Sequence, residues 1–401
     1  MILWRIICEK NDKIESMEKS SKQINSLYYI YYQIMNPQLS NISEDGDIYQ
    51  FTLSHINISL ANGLRRIILS EIPTYAFLTE TYDDNKCTIH VNTTRLHNEI
   101  IKQRLSCIPI HETDLDILAD KYILEVDKKN ETDNVIYVTT EDFKIKNKTT
   151  GNYLTKEETK RIFPPSPISN YYIDFARLKP KISDSIPGEQ LKLECEFSVS
   201  NARNNSMYNV VSKCTYGNSP DLTMVEEAWK HMESKLKSEE STHDEIEFQK
   251  RNFYMLDAQR IFKPDSYDFT IQTVGVYDNK TIVKKGCMVL QNKFVTMIEE
   301  IDADIIPIHR SETTMDNCYD IILENEDYTM GKILEYILYD TYYEGDKSLT
   351  FCGFKKFHPH NPDSTIRLAF SQKVDKNVVR QYLRDAANRA QEVYTKIYKL
   401  F

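Results

Sequence analysis

Three groups of side chains in this sequence have types and spacings that could do chemistry. Asp114 with Asp116, and Asp302 with Asp304, set carboxylates two residues apart, an arrangement able to hold a divalent cation. His358 and His360, in the segment FHPHNP, could offer two imidazoles to zinc from a proline-bounded loop. Arg65 and Arg66 stand together and could grip a partner's carboxylates through bidentate hydrogen bonds. Each group also has a plainer reading. Neither acid pair has a glycine turn or a histidine beside it, so solvated carboxylates in a chain of net charge −10 account for them. The histidine loop has no third or fourth ligand nearby. For the arginines, a surface salt bridge and a docking contact are equally good accounts. No phosphate-cradling glycine loop, nucleophile elbow or kinase signature is found, and ten glycines leave little room for one.

Composition narrows the field. The 401 residues suffice for two or three domains with a real core. An acidic chain is a poor stand-alone nucleic-acid binder, since such affinity comes mainly from Lys and Arg on phosphates. No apolar run is long enough to predict a membrane helix. The opening MILWRIIC is too short for a secretory signal, and Met17 and Met35 are alternative starts. The cysteines (Cys8, Cys87, Cys107, Cys195, Cys214, Cys287, Cys318 and Cys352) form no CxxC pair. They read as buried or free thiols of a reducing compartment, with no metal site. Heavy use of Ile, Lys, Asn and Tyr, with little Gly or Ala, points to an AT-rich genome.

The elements that would position these groups show an internal echo. FTLSHINISLANGLRRIIL, at 51–69, is matched by IILENEDYTMGKILEYIL, at 321–338, at a constant offset of 270. Each copy reads as a short apolar strand, a polar turn, a Ser or Thr cap, a small residue and an amphipathic helix. A repeat of this kind implies two related halves in one chain. Between them, residues 74–220 read mainly as β-structure, clearest in the alternation at 191–199, with a helix predicted over 95–105. Residues 222–262 are charged and helix-prone. A strong amphipathic helix is predicted over 281–301, carrying Val283, Cys287, Leu290, Phe294, Met297 and Ile301. Residues 302–317 read as a linker that a flexible coil would stretch over roughly 22 Å. Strands near 319–323, 349–355 and 365–370 lead to a final helix from about 376. Its stripe is Val378, Tyr382, Ala386, Ala390, Val393, Ile397 and Leu400, and its alanines permit close approach of another helix.

These segments resemble a known family. NISLANGLRRIILSEIPTYAF is similar to the alpha motif of the assembly subunits of multisubunit DNA-dependent RNA polymerases: the bacterial alpha subunit, the archaeal D subunit and the third-largest subunit of eukaryotic polymerase II. TTRLHNEIIKQRLSCIPIH, at 93–111, resembles that family's hxxExhxxRLxxIPL segment. Residues 172–217 resemble the close of its inserted β-domain, and 267–283 its return strand and the start of its long dimerisation helix. The C-terminal part is similar to the smaller partner, the archaeal L subunit and the eukaryotic eleventh subunit. There LENEDYTMGKILEYIL matches ENEDHTLGNLLR, and FCGFKKFHPHNPDSTIRL matches FAGYKVPHPLEPKIIIRI, a loop that is structural in the family.

The resemblance implies an α+β fold: two alpha-motif dimerisation half-domains forming an intramolecular pseudo-dimer, with a mainly-β domain inserted in the first half. The implied boundaries are an N-terminal extension at 1–45, a first half-domain at 46–75 and 221–301, an inserted domain at 76–220, a linker at 302–317 and a second half-domain at 318–401. The implied function is a non-catalytic assembly platform, a natural fusion of two normally separate subunits. It would nucleate the largest and second-largest polymerase subunits, with small subunits like the tenth and twelfth of polymerase II as neighbours. No membrane, sequence-specific DNA contact or homodimer is implied. The chain lacks a motif like NADFDGD, so the catalytic magnesium is expected in the largest subunit and no cofactor in this chain. The implied partner face for the second-largest subunit is Asn62, Arg65, Arg66 and Glu71. The implied pairing helices carry Val283, Leu290, Phe294, Met297, Tyr382, Ala386, Ala390, Val393 and Ile397. The second alpha motif is Glu324, Asn325, Glu326, Asp327, Thr329, Gly331 and Leu334, and it carries Glu335 and Tyr336 where the first has the arginines. Fusion and composition together imply a large nucleocytoplasmic DNA virus, with the chain acting in the cytoplasm of its host and the virion as a second expected location. Two other classes compete: a free acidic regulatory module using the charged segment 226–251, and a stand-alone metal-dependent hydrolase.

Overall fold

The computed structural model describes residues 36–80, 82–183, 185–239, 242–311 and 315–401. The apolar opening, Cys8 and the alternative starts lie outside the described residues. The chain begins with β1 (Gln38–Asp45), turns at Gly46 with φ +56°, and returns as β2 (Ile48–Ser54) into α1 (Ile58–Ser70). A separate body follows: β3 (Thr74–Ala76), β4 (Cys87–Asn92), α2 (Asn98–Ser106), β5 (Tyr122–Lys129), β6 (Ile136–Thr139), β7 (Lys144–Asn147), α3 (Lys156–Ile162), β8 (Asp174–Leu178), β9 (Gln190–Glu196) and β10 (Ser198–Ser200). The chain comes back through β11 (Val211–Pro220), α4 (Leu222–Ser238), α5 (His243–Met255), β12 (Phe262–Thr273) and the long α6 (Asn279–Asp302). The last stretch is β13 (Ile308–Arg310), β14 (Cys318–Leu323), α7 (Tyr328–Leu338), a π-helical turn at Tyr339–Gly345, β15 (Leu349–Lys355), β16 (Ser364–Phe370) and α8 (Lys376–Tyr398).

Two four-stranded antiparallel sheets carry the repeat. Their orders are β1-β2-β12-β11 and β13-β14-β16-β15. The echo extends to strand register. Tyr49, Phe51 and Leu53 pair with Ile271, Phe269 and Tyr267, while Tyr319, Ile321 and Leu323 pair with Leu368, Ile366 and Ser364. The offsets are 270 on one strand and 97 on the other. Cys214 and Tyr216 oppose Ile271 and Phe269 as Cys352 and Phe354 oppose Leu368 and Ile366, a third constant offset of 138. A one-residue slip would turn every side chain to the other face, so matched register means matched cores. The helix starts also match: Asn57 accepts from the Ser59 N–H at 2.8 Å, and Asp327 from the Thr329 N–H at 2.8 Å. The two units differ by insertions at two points. The β3–β10 body enters after α1, where the second unit has only its π-helical turn. The α4–α5 pair enters between β11 and β12, where the second unit has the histidine loop.

Several sequence-based boundaries shift. Residues 38–45, assigned to an extension, form β1 and add a strand to the first sheet. Residues 211–220, assigned to the inserted domain, form β11 and belong to that same sheet. The linker at 302–317 contains β13, which pairs with β14, so it is not a free coil over its length. The charged segment is two helices with a small core of Val225, Trp229, Phe253 and Ala258.

One hydrophobic core runs through both units, from Tyr49 and Leu64 of the first to Leu334 and Ile397 of the second. A second core, with Phe77, Leu105, Leu124, Phe143, Phe163 and Phe197, belongs to the β3–β10 body. The joining layer is α6 against α8. Val283, Leu290, Phe294 and Met297 are buried on the first helix, and Ala386, Ala390, Val393 and Ile397 on the second. Tyr382 is half-buried and stacks on Tyr342 with ring centroids 3.8 Å apart. Val379, Leu383, Ala387 and Tyr394 complete the α8 face, with Val378 packed at its edge and Leu400 exposed. Phe294 stacks on Tyr394 across the layer, 6.2 Å apart and 14° from parallel. Phe294→Ala should therefore destabilise both units together, by about 3–5 kcal/mol. Urea denaturation followed by circular dichroism would show it, and a loss confined to one unit would contradict the shared core.

Candidate interface at the helix crossing

The two repeated helices, α1 and α7, cross in the middle of this core. Leu60, Leu64, Ile67 and Ile68 bury one face of α1, while Thr329, Ile333, Leu334 and Ile337 bury one face of α7. The close approach is set by Gly63. A Cβ there would lie 2.6 Å from Ile333 Cδ1 and 3.0 Å from Tyr394 Oη. The Tyr394 hydroxyl is buried and donates to the Leu60 carbonyl oxygen at 2.9 Å. Gly331 is held by the same logic, since a Cβ there would meet the Phe354 ring at 1.9 Å.

Polar contacts rim the crossing. The Arg66 guanidinium donates to Asp327 Oδ2 at 2.6 Å and to Thr329 Oγ1 at 2.8 Å. Asp327 is thus both the α7 cap and an ion-pair partner of α1. Burial works against its charge, but the Thr329 N–H and hydroxyl and the Arg66 charge outweigh it and hold its carboxyl below the usual range. Lys293 of α6 bridges Glu71 at 2.9 Å and Glu326 at 3.0 Å. Arg203 joins the network, donating to Glu71 at 3.1 Å and to the Asn325 carbonyl at 2.8 Å. Burial raises the Glu326 carboxyl pKa, with Lys293 pulling it back. A cleft of about 570 Å³ opens beside this network, lined by Glu71, Lys293, Met297, Ile306, Glu326 and Met330. On its wall Lys293 pairs with both Glu71 and Glu326.

The structure divides the residues read as partner-facing. Asn62 and Arg65 lie half-exposed on the outer face of α1, the Arg65 guanidinium on Asn62 Oδ1 at 3.0 Å. Arg66 and Glu71 make contacts between the units, Glu71 largely buried and Arg66 with 35% of its side chain still exposed. In the second motif, Glu324 and Asn325 are exposed, Glu326 and Asp327 are in the network, and Thr329, Gly331 and Leu334 are buried. Position 335, the counterpart of 65, carries the opposite charge: Glu335 accepts from the Phe354 N–H at 3.0 Å. The counterpart thiols Cys214 and Cys352 are both pushed up to about 12 by burial; the Arg65 charge opposes this in the first, and the Glu335 charge adds to it in the second. Sequence reasoning missed Lys293 and Arg203. Lys293 interrupts the apolar stripe of α6 next to Phe294, and that interruption was the available signal.

The candidate chemical groups are placed apart from this interface. Asp302 pairs with Arg384, and Asp304 with Arg380, tying the end of α6 to α8. Asp114 accepts from the Asp116 N–H in an exposed turn. His358 Nδ1 accepts from the His360 N–H, with the rings 5.0 Å apart. Among the described residues no three His, Cys, Asp or Glu side chains converge on a metal position. No helix of the described residues is long and apolar enough to cross a membrane.

Two repeated sheet-and-helix units, joined through a common helical seam, define a dimerisation module. The sequence profile of the RNA polymerase Rpb3/Rpb11 dimerisation domain matches residues 50–294, more than half of the chain. The chain belongs to that family. The match runs from within β2 through the β3–β10 body and the rest of the first unit to most of α6, and leaves out β1. Among relatives, the conjugation stage-specific protein of Tetrahymena thermophila is 25% identical over 297 residues, 63% of this chain and 91% of that protein. The DNA-directed RNA polymerases I and III subunit RPAC1 of Mus musculus is 22% identical over 310 residues, 67% of this chain and 85% of that protein. The DNA-directed RNA polymerase II subunit RPB3 of Schizosaccharomyces pombe is 33% identical over 78 residues, 20% of this chain and 23% of that protein.

The Asp327 contact has a pH signature. Its carboxyl pKa is lowered on folding, so its contribution is complete above the ordinary value of about 3.9 and is lost as pH falls through the lowered one. Asp327→Asn keeps an N-cap acceptor but removes the charge. At pH 7 this variant should be less stable than the parent by about 1 kcal/mol, the ion pair being partly exposed. The difference should shrink below pH 4 in urea titrations; a difference constant from pH 7 to pH 3 would rule out the ion pair as its source.

Proposed function

We propose that this chain is a non-catalytic assembly platform of a DNA-directed RNA polymerase, with both members of a normally separate subunit pair carried on one polypeptide. The carrying observation is the conserved register of the two sheets. The family match identifies the first unit, and the second unit repeats its strand order, pairing and helix caps. On this reading the units form an intramolecular pseudo-dimer, and the β3–β10 body is an insertion in the first. Tethering gives the second unit an effective concentration on the order of millimolar, so pairing is independent of dilution.

The platform holds the second-largest subunit at the outer face of α1, through Asn62 and Arg65, and the largest subunit from the side of the second unit. Small subunits akin to the tenth and twelfth of polymerase II are the expected neighbours. The catalytic magnesium belongs to the largest subunit. The setting that suits such a fused chain is the reducing cytoplasm of a cell infected by a large DNA virus.

Arg65→Glu tests the contact without touching the crossing. Affinity purification followed by quantitative mass spectrometry should recover at least ten-fold less of the second-largest subunit, with an unchanged thermal midpoint for the chain itself. Unchanged recovery would remove Arg65 from the interface, and absence of any polymerase subunit from the parent purification would end the platform reading.

A further inference from the structure

We infer that the α1–α7 crossing is a pairing code, in which size and charge complementarity let the first unit accept this chain's second unit and refuse a second copy of itself. The inference rests on the assembly reading above in treating the crossing as a subunit-type interface.

The offset of 270 makes Gly63 and Ile333 counterparts, and they are also each other's contact across the crossing. A residue that touches its own counterpart lies on the axis relating the two helices. The occupants of that axis are unequal: nothing on one side, an isoleucine on the other. Pairing α1 with a second α1 would set glycine against glycine and leave unfilled the space Ile333 takes. Pairing α7 with a second α7 would set isoleucine against isoleucine where one added Cβ already comes within 2.6 Å. Tyr394, anchored on the Leu60 carbonyl, closes the remaining side. Both homotypic arrangements are mispacked, one by a cavity and one by a clash.

The polar rim follows the same rule. Arg66 reaches Asp327, the counterpart of Asn57. In a first-with-first pairing, Arg66 would find that neutral amide instead of a carboxylate. The counterpart of Arg66 is Tyr336, so a second-with-second pairing would bring Asp327 a tyrosine and no cation. Lys293 bridges Glu71 and Glu326, and the counterpart of Glu326 is the buried Ile56. Three independent contacts are therefore complete in the heterotypic pairing alone. Such devices, which reject wrong partners as well as fit the right one, are how interfaces obtain specificity.

Two full-length chains with different tags test the code. One carries Gly63→Val and Arg66→Asp; the other carries Ile333→Ala and Asp327→Arg. Within either chain the crossing is mismatched in both size and charge. Between the two chains, reciprocal exchange restores one native crossing and one with the same number of side-chain carbons on the axis and reversed charges. Co-expression should give a 1:1 dimer of twice the chain mass by light scattering. Capture of one chain by the other's tag should be at least ten-fold above that of two parent chains. A chain carrying all four substitutions should return to a monomer with a thermal midpoint well above either two-substitution chain, and below the parent's only by the α7 cap that Asp327→Arg removes. Co-capture at the parent level, or no recovery in the four-substitution chain, would overturn the code. A stable homodimer of either two-substitution chain would do the same. Recovery of polymerase subunits by the parent chain is a separate readout, so failure of the code and failure of the platform reading are told apart.

Discussion

Neither unit can bury its own helices. A four-stranded sheet with one short and one long helix laid against it leaves an apolar helical surface, and in this chain each unit's surface is covered by the other's. That mutual burial produces a single core from Tyr49 to Ile397 in place of two. Every other feature is arranged around it. The β3–β10 body keeps a core of its own, and it leaves and rejoins the first unit beside the seam, at Glu71 and at the loop carrying Arg203. The seam needs close helix approach, which explains the glycine at 63 and the alanines at 386, 387 and 390; Gly331 makes room for Phe354 of its own unit.

Polar groups at the seam do a different job from the apolar ones. The Arg66–Asp327 pair and the Glu71–Lys293–Glu326 bridge are partly shielded from water, where desolvation offsets much of the Coulomb gain. Glu326 shows that cost directly, its carboxyl being raised by burial in spite of the lysine beside it. Stability comes from the apolar seam, and the charges set which surfaces match. The same scaffold presents Arg65 on one outer face and Glu335 at the equivalent place on the other.

Much of this was legible in the chain because the repeat is written in strong local signals. Strand alternation and helical spacing place α1 and α7 in sequence to within a residue or two, although the caps are Asn57 and Asp327 and not the Ser59 and Thr329 two residues further on. What was not legible depended on pairing. β1 is polar and almost wholly exposed, so it has no apolar period to read, and it is a strand because β2 offers it a partner. β11 lay next to the inserted body in sequence but pairs with β12 far along the chain. Arg66 sits where α1 alone would expose it, and only the neighbouring cap of α7 makes it an inward contact. The α8 stripe was read too narrow, because Val378 and Tyr382, at the edge of the core, stand beside the fully buried Val379 and Leu383 and apolar character alone does not rank them.

The seam also has an order in time. α6 ends at Asp302 and α8 begins at Lys376, so the residues between them must be added before the second long helix exists. At ribosomal rates of roughly 5–20 residues per second, that interval is on the order of 4–15 seconds. Throughout it, the first unit's sheet and both its helices are complete while the face that α8 covers, including Phe294 and Leu290, has no cover. A nascent chain with a finished but half-dressed domain is a substrate for holding chaperones. The single-chain arrangement sets the length of that exposure by elongation, where two separately made proteins would depend on the time needed to find each other.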